Sequence, residues 1–331
     1  MILMNPAVEK FEMLRKLCIG CGECLDVCPS YRHGGCDPVA VASGDVKMVF
    51  DCVGCGSCER VCEHTHPKQM MLAAYTIVLD RGIEPAFYDI GLARYPADNA
   101  PGIDLEPVWS GDDVYVMPGC TAKCDVPFSV YATSAALKGM GIKATEIPDM
   151  TCCMYPVQFG IMTDDERRSY RTKMRGTAGD RDLVMMCPGC AEITKMDGSE
   201  CEHIIEFLHR NLDRLPVFGN GRKVSLEPGC AAIIHLDKMR EVVEKMGFVW
   251  IGNQPGCCGK RSRKVAAPLM SERQEAAKEA DLIVVGCPLC LYKYDSVPDG
   301  KPVVYITELV AMGTGDDTSL RYHKLPVENR F

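Results

Sequence analysis

Cysteines at fixed, short spacing constrain this chain more than any other feature. Cys18, Cys21, Cys24 and Cys28 form a Cys-x2-Cys-x2-Cys-x3-Cys run closed by Pro29, and Cys52, Cys55, Cys58 and Cys62 repeat its spacing. Three thiols on one loop can wrap several irons of a common centre, and thiolates are what soft iron sites require. A structural zinc ion needs one set of four and does not call for two matched runs. The segment therefore predicts two polynuclear iron centres close together, an arrangement suited to moving electrons.

The chain holds 21 cysteines in 331 residues. In a short secreted chain they would form a disulfide scaffold, but tight Cys-x-x-Cys clusters in a chain this long point to metal in a reducing compartment. A formal charge of -8 gives no electrostatic reason to bind nucleic acid or an anionic membrane, and excludes nucleic acid as an expected partner. No stretch approaches the roughly 18 apolar residues of a membrane span. With Glu9 and Glu12 among its apolar residues, the N-terminus lacks a signal-peptide pattern. The expected location is cytoplasmic, as a soluble protein or a peripheral subunit of a complex. Neither a dinucleotide fingerprint nor a Walker-type loop occurs, so electrons are expected from an electron-donating redox subunit, a flavoprotein or a cytochrome.

Four segments are expected: a small cluster-binding domain at 1–91 with helical flanks at 11–17 and 70–79, a linker at 92–112 containing Pro96, Pro101 and Pro107, and two repeats at 113–219 and 220–331. Each repeat opens with an apolar strand running into Pro-Gly-Cys, at Cys120 and at Cys230. Each continues with an adjacent pair, Cys152-Cys153 or Cys257-Cys258, and an apolar strand ending in Cys-Pro-x-Cys, at Cys187 and Cys190 or at Cys287 and Cys290. The tails agree as well, with Glu206 and Glu308 at matching distances. Strands alternating with helical stretches, such as 232–246 and 272–280, predict small, mostly parallel sheets with cysteines at the strand ends. The expected fold is mixed α+β and α/β: a small helical two-cluster domain followed by a duplicated α/β unit.

The N-terminal runs resemble those of two-cluster ferredoxins, in which the fourth cysteine of each run serves the neighbouring cluster. That crossing assigns Cys18, Cys21, Cys24 and Cys62 to one cubane [4Fe-4S] cluster, and Cys52, Cys55, Cys58 and Cys28 to the other. Glu63 and His64 replace the proline after Cys62, so the turn there is open to differ. His64 and His66 are either hydrogen-bond donors to a cluster sulfide or solvated loop residues.

The order Cys, Cys-Cys, Cys-x-x-Cys, twice over, resembles the cysteine-rich (CCG) domain of heterodisulfide reductase catalytic subunits, of the D type or a fusion of C and B types. The same domain occurs in iron–sulfur subunits of glycolate, lactate and glycerol-3-phosphate dehydrogenases. The resemblance implies two noncubane [4Fe-4S] clusters: one held by Cys120, Cys152, Cys153, Cys187 and Cys190, the other by Cys230, Cys257, Cys258, Cys287 and Cys290. These ten would carry the chemistry. Cys124 is an alternative to Cys120, while Cys36 and Cys201 are expected as buried thiols. Two departures from the family pattern stand out: Met154 follows the first pair where the motif has glycine, although Gly259 follows the second pair, and the second repeat's intervals are shorter than the family's usual ones.

The family's substrate, the mixed disulfide of coenzyme M and coenzyme B, implies reduction of a disulfide in a cleft between two facing repeats. Its anionic groups would suit Lys260, Arg261, Arg263 and Lys264; the other reading of that run is a solvated loop or a docking patch. Arg167, Arg168 and Arg171 read as an exposed helix face. His235 is either a proton source or a packed helix residue. Two further functions stay open: an electron-transfer iron–sulfur subunit of a flavin-dependent hydroxyacid or glycerol-3-phosphate dehydrogenase complex, and an assembly factor that reduces another protein's cofactor.

Overall fold

A computed structural model describes residues 6–80, 104–148, 153, 164–196, 198–259 and 262–327. The expectations for Cys152, Met154, Lys260 and Arg261, for the linker before residue 104 and for the side chains of Arg167 and Arg171 lie outside the described residues. The chain divides into two compact units, one made of Met1–Ala93, Met154–Ser169 and Gly259–Ser271, the other of Arg94–Cys153, Tyr170–Cys258 and Glu272–Phe331.

The first unit is helical. Helix Pro6–Lys16 buries Ala7, Phe11 and Leu14 on one stripe against helix Pro67–Asp80, whose Met70, Ala73, Ala74, Ile77 and Val78 form the facing stripe. Between them, helix Pro38–Ala42 is capped by Asp37, whose carboxylate accepts the Val39 and Ala40 N–H groups at 2.9 Å each. The short helices Glu23–Asp26 and Ser57–Val61 each start inside a cysteine run and pack on one another. Gly20 and Gly22 in one run, and Gly54 and Gly56 in the other, take left-handed φ values of 70°, 87°, 66° and 74°. Only glycine adopts these without strain, so both loops curl alike. Residues after Gly259 join this unit through buried Val265 and through Ser262, whose hydroxyl donates to Asp51 at 3.2 Å.

The second unit is a duplicated α/β fold with two parallel sheets. Strands β1 (Val114–Met117), β2 (Ala144–Glu146), β3 (Asp182–Met185) and β4 (Glu202–His203) lie in the order β2-β1-β3-β4. Strands β5 (Lys223–Glu227), β6 (Val249–Trp250), β7 (Leu282–Val285) and β8 (Val303–Tyr305) repeat that order as β6-β5-β7-β8. Every pairing is parallel. All four residues of β7 are buried, as a sheet covered on both faces requires.

The two repeats lock reciprocally. Helix Phe128–Gly139 of the first packs on Ile306–Gly313 of the second, and Ile204–Arg210 of the first packs on Leu236–Lys245 of the second. At the first of these contacts the Thr133 and Thr307 hydroxyls lie 2.8 Å apart and the Tyr131 hydroxyl donates to Asp316 at 2.8 Å. Such exchange of equivalent surfaces is the signature of a pseudo-twofold axis.

Local boundaries differ from the sequence expectation in two places. The helix expected at 272–280 is Ala266–Ala276, because Pro268 falls in its first turn, where no intrahelical N–H bond is lost. The stretch 232–246 is divided into a 3-10 turn, Cys230–His235, and helix Leu236–Lys245.

Candidate metal centres

In the first unit one pocket is lined by Cys18, Cys21, Cys24 and Cys62, together with His64 and Met70. These four thiols are the crossed set. Burial, and then the neighbouring Cys18, Cys21 and Cys62, push the Cys24 thiol up to about 11. Around the second set the Cys58 thiol is raised by burial, then by Cys52, Cys55 and Cys28. Each fourth cysteine thus keeps company with the first three of the other run.

The backbone around the two fourth cysteines is alike despite the missing proline. The Tyr31 N–H donates to Cys28 Sγ at 3.4 Å and the Thr65 N–H to Cys62 Sγ at 3.5 Å. His64 borders the first pocket, whereas the exposed ring of His66 places Nδ1 2.9 Å from Glu59 Oε1. Cys36 is buried as expected, but it also stands beside the second set. A hydrogen bond with Cys52, then burial, raises its thiol, and its sulfur lies 3.9 Å from Met71 Sδ. No spacing rule flags Cys36, which falls between the two runs.

In the second unit the cysteines gather at the carboxyl ends of the central strands. The chain reverses its direction of winding between β1 and β3, and between β5 and β7, and such switch points open a crevice for ligands. Cys120 and Cys187 follow β1 and β3, while Cys230 and Cys287 follow β5 and β7. The turns approach so closely that they require glycine. A Cβ on Gly119, at φ 83°, would lie 3.2 Å from Cys190 Sγ, and one on Gly229, at φ 94°, only 2.7 Å from Cys287 Cβ.

The thiols of the two repeats form one continuous line. Each perturbs its neighbours: Cys153 and Cys187 raise Cys190, Cys187 raises Cys287 across the repeats, and Cys258 and Cys287 raise Cys290. Hydrogen bonds from Cys190 and Cys287 hold the Cys187 thiol far below its ordinary range, while its neighbours are raised. So many buried thiols cannot all ionise at once unless a multivalent cation offsets their mutual repulsion. That donor chemistry fits iron–sulfur clusters. Among the described residues no trio of His, Cys, Asp or Glu side chains could hold a single metal ion as it stands. The fit therefore rests on soft donors spread around a common space. Cys187 of the first repeat and Cys287 of the second are neighbours that perturb one another's thiols.

Three residues that the sequence did not single out frame this line. His203 and Tyr305 end β4 and β8, cap the helices that follow, and are completely or almost completely buried. Glu227 ends β5, where the first repeat has Met117. Burial pushes its carboxyl up to about 8, against a hydrogen bond from the Gly256 N–H at 3.0 Å and the pull of Arg273. The available signal was the capping pattern: Glu206 and Glu308 each accept the N–H of the residue three positions before.

Other candidates are more ordinary. His235 packs in the last position of its 3-10 turn, 3.5 Å from Glu206. Arg168 is exposed and pairs with Asp165, and Lys264 lies 3.8 Å from Asp51. Cys124 is buried one turn after Cys120, and the Cys201 thiol faces the Ala191 carbonyl at 3.8 Å.

Residues 12–63 match the family model of the 4Fe-4S dicluster domain, and residues 233–294 that of the cysteine-rich domain. The first match contains all eight cysteines of the two runs; the second contains Cys257, Cys258, Cys287 and Cys290. No curated protein matches the chain. Its fold is similar to a crystal structure of a hypothetical protein from Helicobacter pylori, with a TM-score of 0.53 and 12% identity over 79% of this chain and 61% of that one. This chain thus spans about three fifths of that protein's length, and the likeness is one of fold.

Proposed function

We propose that this protein, which carries iron–sulfur domains suited to electron transfer, is the disulfide-reducing subunit of a heterodisulfide reductase-like complex. Residues 1–91 would act as the relay, 92–112 as a linker, and 113–219 and 220–331 as paired reaction modules. The observation that carries the reading is the junction of the two cysteine sets at Cys187 and Cys287, on the pseudo-twofold of a duplicated fold. Cleaving a disulfide takes two electrons and leaves two thiolates, one for each sulfur, and a pair of one-electron centres suits that stoichiometry.

Two cubanes would be held by the crossed cysteine sets. Two noncubane clusters would be held by Cys120, Cys152, Cys153, Cys187 and Cys190, and by Cys230, Cys257, Cys258, Cys287 and Cys290. When bound, these groups supply one-electron transfer. The chain's residues crowd the thiols, keep water from them by burial, and hold the turns in place through Gly119 and Gly229. The assay is reduction of the coenzyme M–coenzyme B disulfide by a reduced dye with anaerobically purified protein. Turnover is expected; cluster-loaded protein that oxidises the dye only with a flavoprotein partner would overturn the reading.

That second outcome describes the alternative, an electron-transfer subunit of a hydroxyacid or glycerol-3-phosphate dehydrogenase complex. Its support is the dicluster match at residues 12–63, a relay module whatever chemistry the second unit performs.

A further inference from the structure

His203 and Tyr305 occupy equivalent places in the two repeats. His203 lies opposite Met185 in the β3–β4 register and Tyr305 opposite Val285 in the β7–β8 register. Two residues beyond those partners come Cys187 and Cys287. Each caps its helix with a glutamate at the third helical position. Their polar ends are used differently. The Tyr305 hydroxyl reaches the other repeat and donates to the Met186 carbonyl at 2.6 Å. The His203 ring accepts the Ile205 N–H at Nδ1, so the neutral ring carries its proton on Nε2. That Nε2 is buried and has no hydrogen-bond partner among the described residues.

A buried N–H without an acceptor is costly and rarely left so in a native protein. His235, whose ring stacks at 6.2 Å between centroids and 11° between planes, fixes the orientation of the His203 ring. The register of His203 opposite Met185 puts that ring beside the Met186 backbone, one residue before Cys187.

The geometry points to His203 Nε2–H as a hydrogen-bond donor to a sulfur of the first repeat's centre at Cys187, a donor for which the second repeat has no free counterpart. This rests on the reading that the first repeat holds a cluster. Hydrogen bonds to cluster sulfurs stabilise the more negative, reduced form and raise its potential. His203 is thus a positioning residue that makes two similar centres unequal, and an electron entering the pair occupies the first repeat's centre before the second's.

The test is a potentiometric titration of the anaerobically purified full chain, followed by electron paramagnetic resonance. In His203→Asn, which keeps a capping side chain but shortens its reach, one signal from the cysteine-rich unit should move to lower potential while the cubane signals stay in place. His203→Gln, which restores an N–H at longer reach, should return it part of the way. Pulsed resonance on wild-type protein labelled with 15N-histidine should show a histidine nitrogen coupled to that same signal, a readout independent of how the variants fold. A signal present but neither moved nor coupled overturns this assignment alone. A wild-type protein with cubane signals only overturns the cluster reading beneath it as well.

Discussion

The two repeats share strand order, turns and capping pattern, yet differ wherever a polar side chain meets the cysteines. The first repeat has Met117, His203 and a Glu206 that is 15% exposed; the second has Glu227, Tyr305 and a fully buried Glu308. Duplication preserved the frame that gathers thiols at the switch points. The residues beside the thiols diverged, so the two centres sit in different electrostatic surroundings. A symmetric scaffold has been made chemically directional.

The largest effect should come from removing a thiol on one side. Cys257→Ala is expected to abolish disulfide reduction while both cubane resonance signals persist; retained activity would remove the second repeat from the chemistry.

Next are the two glycines, whose environments differ in tightness. Both alanine variants force a side chain into a positive-φ, extended-ψ region open essentially to glycine, at about 1–3 kcal/mol, but Gly229→Ala also drives its Cβ to 2.7 Å from Cys287 Cβ. Gly229→Ala should therefore lose more iron and more thermal stability than Gly119→Ala. Equal losses would mean that the second turn is not the tighter one.

The capping glutamates give a third contrast. Glu308 and Asp295 face buried His323, with Nε2 3.0 Å from Glu308 Oε1 and Nδ1 3.2 Å from Asp295 Oδ1, and the Ser319 hydroxyl donates to Glu308 at 2.8 Å. Glu308→Ala strands a buried cation and should lower stability by about 3–5 kcal/mol. Glu206→Ala, which breaks a partly exposed pair with Lys195, should lower it by about 1 kcal/mol. Against the opposing effect of burial, Glu308 and Asp295 push His323 up to about 10 from the ordinary value of 6.5. Because the folded value is raised, this stabilisation is complete below pH 6.5 and is lost as pH rises through about 10. Denaturant titrations across that window should show the decline in wild type and not in His323→Gln.

The smallest effect belongs to Lys123, whose 2.6 Å pair with Glu146 is only partly buried. Ile233, at the equivalent place in the second repeat, can form no such pair. Lys123→Ala should change stability by less than about 1 kcal/mol.

Much of this was legible in the cysteines, because a ligand must recur at a spacing set by covalent geometry. The two runs, the duplicated order and the strand-to-Cys turns all follow from that. The parallel order β2-β1-β3-β4 was not, since a crossover helix reaches either side of a strand and packing decides which. His203, Tyr305 and Glu227 were missed because each is a single polar residue whose significance comes from a neighbour across the sheet. In the sequence Cys36 is an ordinary buried thiol, and only the fold brings it to Cys52. The start of helix Ala266–Ala276 is not legible either, because Pro268 is compatible with a helix only in its first turn and the sequence does not say where that turn begins.

Iron counting on anaerobically purified wild-type chain tests the account most directly. Four clusters predict about 16 irons per chain. A count of about 8, with both cubane signals at full intensity, would show that the ten rear thiols hold no iron and would contradict it.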